Sequence, residues 1–372
     1  MAEMGLVLQG GGALGAYEYG VVTRLVELGW RPKAVTGVSI GAINAAAVAG
    51  AAHNQIADNL HKLWDTITMM NNPWLPADQQ GFLSMFGNRN FFRPRIDFYD
   101  IFHWTSLCDV SPMIATLNRI CDFDLINNSN HIRFAVTATD LQTGGQVTFS
   151  NFFPDTARVT RDDPDKIERD SVTSLRTEIK AEHIMASGSL PPGFSATEID
   201  GAYYWDGGLF SNTPIEALLD LLDQKDIESL PIFVVNLFPC RKRIPENLLQ
   251  VQERMTELSY QNRFWAQYGG TSRLTGFMQV LKDLDEELPK DSAARKHRAF
   301  YWLQRLRALE NLHVIQAEAA PMTGGMDFSP YGIGTRYQAG RKAVDDYFER
   351  NAVQWQADLP RMRVGIAGSS VR

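Results

Sequence analysis

The sequence predicts a three-layer α/β/α fold, in which helices cover a mainly parallel central sheet, followed by a helical C-terminal extension. Two observations carry this prediction. The first fifty residues repeat a unit of apolar run, glycine-containing turn and helical stretch, which is typical of parallel strands joined by covering helices. The 372 residues are 44% hydrophobic and 21% charged, a globular composition that excludes a disordered or fibrous protein.

The elements follow from the spacing of apolar residues and of turn residues along the chain. Two strands are predicted early, at 4–8 and 33–38, and each leads through glycines into a helix, at 16–28 and 41–52. The later predicted strands are 132–138, 145–150, 232–238 and, more weakly patterned, 312–316. The later predicted helices are 112–121, 179–186, 213–222 and 245–268.

Two segments depart from this pattern. Residues 70–104 are rich in aromatic side chains without a regular period, and we predict an irregular insertion that either lines or covers an apolar site or fills the core under a long loop. From residue 241 the chain is helical and highly charged. We therefore predict one domain over 1–240 and a helical extension over 241–372, which returns a strand at 312–316 to the core and offers a surface for a second copy or a cap over the site.

Charge and cysteine content exclude several classes of protein. The chain has 43 acidic and 36 basic residues and a net charge of -7, which argues against nucleic acid or an anionic membrane as an electrostatic partner. Cys108, Cys121 and Cys240 lack the spacing of a zinc site or a disulfide framework. The sequence opens without a signal peptide and has no apolar run of membrane-spanning length. These features predict a cytoplasmic protein.

A glycine-rich turn follows the first predicted strand. Gly10, Gly12 and Gly15 fit the GxGxxG pattern of a dinucleotide-binding turn. That pattern requires an acidic residue about 20 positions further on to bind the ribose, and no Asp or Glu occurs over 28–57. The sequence therefore disfavours a nicotinamide or flavin site. With no calcium-binding loop either, it predicts an activity without cofactor or metal.

The second predicted strand leads into a GxSxG pentapeptide centred on Ser39. Gly37 and Gly41 allow a sharp turn from strand to helix, so the serine hydroxyl projects into open space as in a nucleophile elbow. The helix N-terminus that follows favours developing negative charge. A chance match in a glycine-rich chain is the alternative, and the flanking strand and helix argue against it.

Acyl transfer also requires N–H donors for an oxyanion. Gly10, Gly11 and Gly12 end the strand next to the one that carries Ser39, so their backbone N–H groups can lie beside the nucleophile. A purely structural tight turn is the alternative for these glycines.

Two kinds of base for the serine are open. His297 and His313 would preserve the serine, aspartate, histidine order of α/β-hydrolases, although Ser39 lies too early in the chain for the elbow of that fold. The other candidate is Asp206, which follows an aromatic run and precedes Gly207 and Gly208. From this segment alone, Asp206 could equally be the side-chain acceptor of a turn.

Taken together, these motifs resemble the patatin-like phospholipase family. Residues 10–15 are similar to its glycine-rich oxyanion loop, 37–41 to its serine elbow and 206–208 to its aspartate motif. The resemblance covers roughly residues 4–240, whereas 241–372 resembles more weakly the helical extension of some bacterial members. Further segments that are similar to the family are 138–144 and 186–194.

The resemblance implies a patatin-like hydrolase core and a Ser-Asp catalytic dyad that uses neither histidine nor metal. Ser39 would be the nucleophile and Asp206 the base that takes its proton and later activates water. The N–H groups of Gly11 and Gly12, together with that of Gly10, would form the oxyanion hole.

A carboxylate of ordinary pKa is a weak base toward a serine hydroxyl. We therefore predict that Asp206 is shielded from water by Tyr203, Tyr204 and Trp205 or their neighbours, because desolvation raises the pKa of a carboxyl group.

The implied activity is the hydrolysis of acyl esters of phospholipids, lysophospholipids or related lipids through an acyl-enzyme. Leu14 departs from the family pattern, which commonly has Arg or Lys there, and a cation would suit an anionic phosphate. A neutral ester or a thioester is therefore equally compatible with the dyad. An acyltransferase and a catalytically idle lipid-binding scaffold are the alternatives. The expected partners are the lipid substrate, a membrane surface in transient contact and a second copy of the chain.

Overall fold

The computed structural model describes residues 2–152, 172–238, 244–260, 271–317 and 325–351. Its strands are β1 (Ala2–Leu8), β2 (Trp30–Gly37), β3 (Arg93–Pro94), β4 (Cys108–Asp109), β5 (Arg133–Asp140), β6 (Gln146–Ser150), β7 (Val172–Arg176), β8 (Thr197–Ile199), β9 (Ala202–Asp206), β10 (Ile232–Asn236) and β11 (Leu312–Gln316). Its helices are α1 (Gly15–Glu27), α2 (Ile40–Ala49), α3 (Ile56–Ile67), α4 (Ser111–Ile120), α5 (Phe123–Asn127), α6 (Ala181–Gly188), α7 (Ile215–Asp220), α8 (Gln224–Ser229), α9 (Leu248–Tyr260), α10 (Thr271–Glu287), α11 (Arg298–Arg305) and α12 (Pro330–Arg350).

The central sheet has the strand order β11-β10-β1-β2-β5-β6-β7. Five neighbouring strands, from β11 to β5, are parallel, β6 runs antiparallel to β5, and β9 also pairs antiparallel with β5. In β1, the middle one of the five parallel strands, residues 4–8 are all buried, as expected where helices cover both faces of a sheet. The predicted α/β/α fold with a mainly parallel sheet is confirmed.

Two apolar clusters hold the helical layers on the two faces of the sheet. Leu6 and Leu8 point to the larger cluster, which also contains side chains of α1, α2, α3 and α12. Val7 points to the other face, where the smaller cluster includes side chains of α7 and α10. This alternation along β1 follows from the period of two residues in a strand.

The C-terminal part of the chain contributes to this core. The strand predicted at 312–316 is present as β11, and it pairs in parallel with β10. Helix α12 packs along α1, and the ion pairs of Arg24 with Asp345 and of Arg341 with Glu27 join their exposed sides. Of the helix predicted over 245–268, α9 covers 248–260, and the rest lies outside the described residues.

The insertion over 70–104 contains two 3₁₀ segments, Ala77–Phe86 and Phe98–His103, and β3, which pairs with β4. Among the described residues, no helix is both long and apolar enough to cross a membrane.

Candidate active site

The sheet topology brings Ser39 and Asp206 together. Strand β2 ends with Gly37 opposite Val136 of β5. Strand β9 approaches the same edge of β5 from the opposite direction and ends with Asp206 opposite Ala138, because β6 already occupies the other edge there. The residues that follow β2 and those that end β9 therefore meet at one point of the sheet, although they are far apart in sequence.

Ser39 lies in the strained turn between β2 and α2. Its φ of 56° and ψ of -125° place a non-glycine residue in the left-handed half of conformational space, a strain that recurs at functional sites. The turn is held by the Ser39 N–H group, which donates to the carbonyl oxygen of Ser187 at 3.0 Å. Gly41 is required because a Cβ atom there would lie 2.5 Å from the carbonyl oxygen of Leu8. This is the geometry of a nucleophile elbow.

Asp206 is buried next to the serine, with 1% of its surface exposed. Its Oδ1 atom accepts the N–H group of Gly208 at 2.7 Å. Its Oδ2 atom is buried and makes no well-formed hydrogen bond to any described residue. Desolvation raises the pKa of Asp206 to about 6, while hydrogen bonding by Ser39 and by the Gly208 N–H group lowers it by less. Burial therefore shifts the pKa of Asp206 in the predicted direction.

The shielding of Asp206 differs in detail from the prediction. Residues alternate between the two faces of β9, so Tyr204 shares the buried face with Asp206, whereas Tyr203 and Trp205 point to the other face, and Tyr203 is 45% exposed. Tyr203 is thus not a shield. A neighbour that the sequence did not indicate is Tyr260 of α9, whose own pKa is raised by burial and by the charge of Asp206.

Within the described part of the chain, two N–H groups of the glycine loop are unpaired, rather than three. The N–H group of Gly10 donates to Oδ1 of Asn212 at 3.1 Å, so the inclusion of Gly10 among the oxyanion donors is not supported. The N–H groups of Gly11 and Gly12 have no protein acceptor among the described residues. Gly12 has a φ of +57°, and a Cβ atom there would lie 2.3 Å from the carbonyl oxygen of Gly325.

These groups open onto one cavity of about 350 Å³. Ser39, Asp206 and the glycine loop form its polar end, with Asn212 and Tyr260 beside them. Among the described lining residues, none carries a positive charge. The apolar walls come from Leu14, Ile40, Ile43, Phe91, Phe92, Leu190, Phe194, Leu237, Phe238, Met326 and Phe328.

The aromatic insertion divides into two parts. Phe91 and Phe92 are 6% and 2% exposed and line the cavity, so this part is a wall of the site. Other aromatic side chains of the insertion point to solvent, and the most exposed of them are Trp74, Phe86, Phe98, Tyr99 and Phe102.

The histidine alternative has no support in the geometry. None of the histidines lines the cavity. His313 is on β11, hydrogen-bonded to the hydroxyl of Tyr347, and burial lowers its pKa to about 4. His297 follows the 3₁₀ segment Ala293–Lys296 on the surface. Within the described ranges, no cluster of three His, Cys, Asp or Glu side chains could hold a metal ion.

Some residues of this site lie outside the sequence motifs and were not predicted. Asn212 clamps the glycine loop to the segment after the aspartate motif, because it also donates to the carbonyl oxygen of Gly10 at 3.2 Å. Its position shortly after Gly208 was the available signal. Phe194 and Phe328 could not be assigned to the cavity from the sequence, because an isolated aromatic residue is equally compatible with any position in the core.

The fold and the cavity together define an α/β protein with a strand-serine-helix turn at the end of a parallel strand. The family model described as patatin-like phospholipase matches residues 6–219, which is more than half of the chain. The chain belongs to the patatin-like phospholipase family.

Other comparisons are more distant. The crystal structure of VipD from Legionella pneumophila is similar over 93% of this chain and 67% of that chain, with 14% sequence identity and a TM-score of 0.38. No curated protein sequence matches this chain.

Proposed function

We propose that this chain is a serine lipid acyl hydrolase in which Ser39 is the nucleophile and Asp206 the general base. Membership of the patatin-like phospholipase family supports a lipid-ester hydrolase. The observation that carries the proposed dyad is the cavity itself, where a serine in a strained turn and a desolvated carboxyl group lie side by side. Perturbed titratable groups in a cleft are typical of functional sites.

The reaction would proceed in two steps. Asp206 takes the hydroxyl proton of Ser39 as Oγ attacks the ester carbonyl, and the N–H groups of Gly11 and Gly12 stabilise the oxyanion. The carbon-oxygen bond to the leaving alcohol then breaks, and Asp206 returns the proton to that alcohol. In the second step, Asp206 takes a proton from water, the hydroxide attacks the acyl-serine, and the proton goes back to Ser39 as the fatty acid leaves.

The walls of the cavity favour substrates with an apolar acyl chain. A volume of about 350 Å³ is at the small end of ligand pockets, which suits one chain rather than two. Leu14, at 7% exposure, lines the cavity with an apolar side chain at the position where the family commonly has a cation, which would suit a phosphate. We therefore favour a single-chain ester, such as a lysophospholipid or a neutral acyl ester, over a diacyl phospholipid.

The proposal is tested with p-nitrophenyl esters of increasing acyl length in the presence of EDTA. We expect Ser39-dependent hydrolysis that rises with chain length until the cavity is filled, since each buried methylene contributes about 0.8 kcal/mol. Added alcohol or lysolipid distinguishes a transferase, which would form a new ester in place of free acid. No Ser39-dependent turnover of any ester or thioester would overturn the proposal.

The pKa of Asp206 predicts the pH dependence of the reaction. Only the ionised carboxylate can accept the serine proton, so activity is present above the pKa of the free enzyme and is lost as the pH falls through it. With that pKa at about 6, kcat/KM should fall about tenfold for each pH unit below 6. An acid limb near pH 4, in a pH range where thermal unfolding shows the fold intact, would contradict a desolvated base.

We also propose transient contact of the aromatic insertion with a lipid surface. Aromatic side chains are favoured at the boundary between water and lipid, and Tyr99 and Phe102 are 93% and 95% exposed. The segment 70–104 contains three Asp and three Arg residues, Asp78, Asp97, Asp100, Arg89, Arg93 and Arg95. Because these charges balance, the contact would depend on apolar burial rather than on anionic lipid.

Zwitterionic phosphatidylcholine vesicles test this contact. We expect the wild type to sediment with them at both low and high salt. The combined variant Phe98→Ser, Tyr99→Ser, Phe102→Ser should bind about 100-fold more weakly, because it lacks three aromatic side chains that the lipid would bury. Hydrolysis of a short, dissolved ester should be unchanged. Trp302→Ser, at a 46% exposed position on α11, is the control. Equal binding of the combined variant and the wild type would exclude the insertion as the contact.

A further inference from the structure

A carboxyl group that the proposed chemistry does not use lies directly behind the glycine loop. Glu18, in the first turn of α1, is completely buried. Its hydrogen-bond partners are neutral, and burial raises its pKa well above the ordinary value. Since a buried carboxyl group without a cationic partner costs stability, its place in the core calls for a local role.

The two oxygen atoms of Glu18 join the two halves of the site. Oε1 accepts the backbone N–H group of Gln9 at 2.6 Å, and Gln9 is the residue from which the glycine loop begins. Oε2 accepts Nδ2 of Asn44 at 2.9 Å, and Asn44 lies in α2, the helix that starts at the nucleophile. One side chain therefore connects the oxyanion loop to the helix that carries Ser39.

The orientation of Asn44 requires an acceptor at this position. Its Oδ1 atom accepts Nε1 of Trp64 at 2.9 Å, and its Nδ2 atom also donates to the carbonyl oxygen of Gly15 at 3.0 Å. The amide is thus fixed with its nitrogen toward Glu18. Both neighbours of the Glu18 carboxyl group, Gln9 and Asn44, are donors, so an amide in its place can satisfy only one of them.

The glycine loop is held on its other side as well. The Gln9 side chain accepts the N–H group of Leu237 at 2.7 Å and donates to Oγ1 of Thr213 at 2.6 Å, and Asn212 accepts the N–H group of Gly10. Glu18 therefore holds one side of the glycine loop, and the contacts of Gln9 and Asn212 hold the other.

We propose that Glu18 is a positioning residue, which holds the backbone of the glycine loop at the distance from Ser39 that lets the N–H groups of Gly11 and Gly12 meet the oxyanion. This inference rests on the proposed hydrolysis. Neither Glu18 nor Asn44 lines the cavity, so neither touches substrate. The contribution should be realised in the transition state and appear in kcat rather than in KM.

The test is the isosteric variant Glu18→Gln, measured with a p-nitrophenyl ester. We expect kcat to fall about 10- to 100-fold, because a small misplacement of catalytic groups has effects of this size, while KM changes less than about twofold. The matched control is Asn151→Asp, which disturbs a buried amide that bonds Phe134 N and Ile132 O at the opposite end of β5. It should lower the Tm and leave kcat unchanged.

A double-mutant cycle separates positioning from general destabilisation. Asn44→Leu removes the hydrogen bond between Glu18 and Asn44 from the other side. The double variant should therefore lose less kcat than the product of the two single effects. If Glu18→Gln does not fold, Asn44→Leu is compared with Asn151→Asp in its place. An unchanged kcat, a change confined to KM, or multiplying effects would overturn the inference. Absence of Ser39-dependent turnover in the wild type would instead overturn the proposed function.

Discussion

Replacing Ser39 by Ala should lower kcat/KM for ester hydrolysis by about 10⁴-fold or more. Asp206→Asn should have an effect of similar size, because removing one residue of a catalytic unit lowers the rate nearly as much as removing all of them. Ser39→Ala removes the atom that forms the acyl-enzyme. Asp206→Asn keeps the shape and the acceptor for the Gly208 N–H group but cannot take a proton. Initial rates on one p-nitrophenyl ester, with EDTA present, measure both effects.

The controls for this prediction distinguish chemistry from folding. Asn at position 206 removes a charge that burial disfavours, so the Tm of Asp206→Asn should not fall. Ser150→Ala changes a buried serine of β6 and should retain activity, as should His297→Ala. Loss of activity in His297→Ala, or retention in Asp206→Asn, would reopen the histidine alternative.

Gly12→Ala should lower kcat about 10²- to 10³-fold, the effect of losing one oxyanion donor. The Cβ atom added at position 12 would lie 2.3 Å from the carbonyl oxygen of Gly325, and the φ of Gly12 is +57°. Because the colliding atom is backbone, the loop must move, and the N–H group of Gly12 moves with it. Steady-state kinetics of the variant, with its Tm, measure the effect.

Gly29→Ala provides a matched control for Gly12→Ala. Gly29 also has a positive φ, +91°, but a Cβ atom there would meet nothing within 4 Å, and it precedes β2 at the end away from Ser39. The Tm of this variant should fall, because alanine is strained in the left-handed conformation, and its kcat should be unchanged. Equal effects of the two variants on kcat would show that the glycine loop does not position a catalytic donor.

The fold was predictable from the sequence because its determinants are local. Apolar runs such as 4–8 and 232–238 mark buried parallel strands, and the glycines at 10–12 and at 37 and 41 mark the turns from the first two strands into helices. The short strands β8 and β9 were not predicted, since they are held by pairing with each other and with β5. Such long-range pairing leaves no periodic signal in a short segment.

The candidate site was predictable where its residues lie in motifs and not where tertiary contacts decide their roles. Ser39 could be selected because Gly37 and Gly41 lie on its two sides, and Asp206 because Gly207 and Gly208 follow it. The occupation of the Gly10 N–H group by Asn212 depends on the meeting of two loops 202 residues apart. Glu18 carried only one signal, an acidic residue on a helix whose other residues through Leu25 are mostly apolar.

The assignment of Ser39 as the nucleophile is tested by the mass of the intact protein after reaction with an alkyl fluorophosphonate, followed by identification of the modified peptide. We expect one adduct per chain, on Ser39, formed in the wild type and strongly slowed in Asp206→Asn, with no adduct in Ser39→Ala. An adduct on another residue, or none under conditions in which the fold is intact, would contradict the assignment of Ser39 as an activated nucleophile.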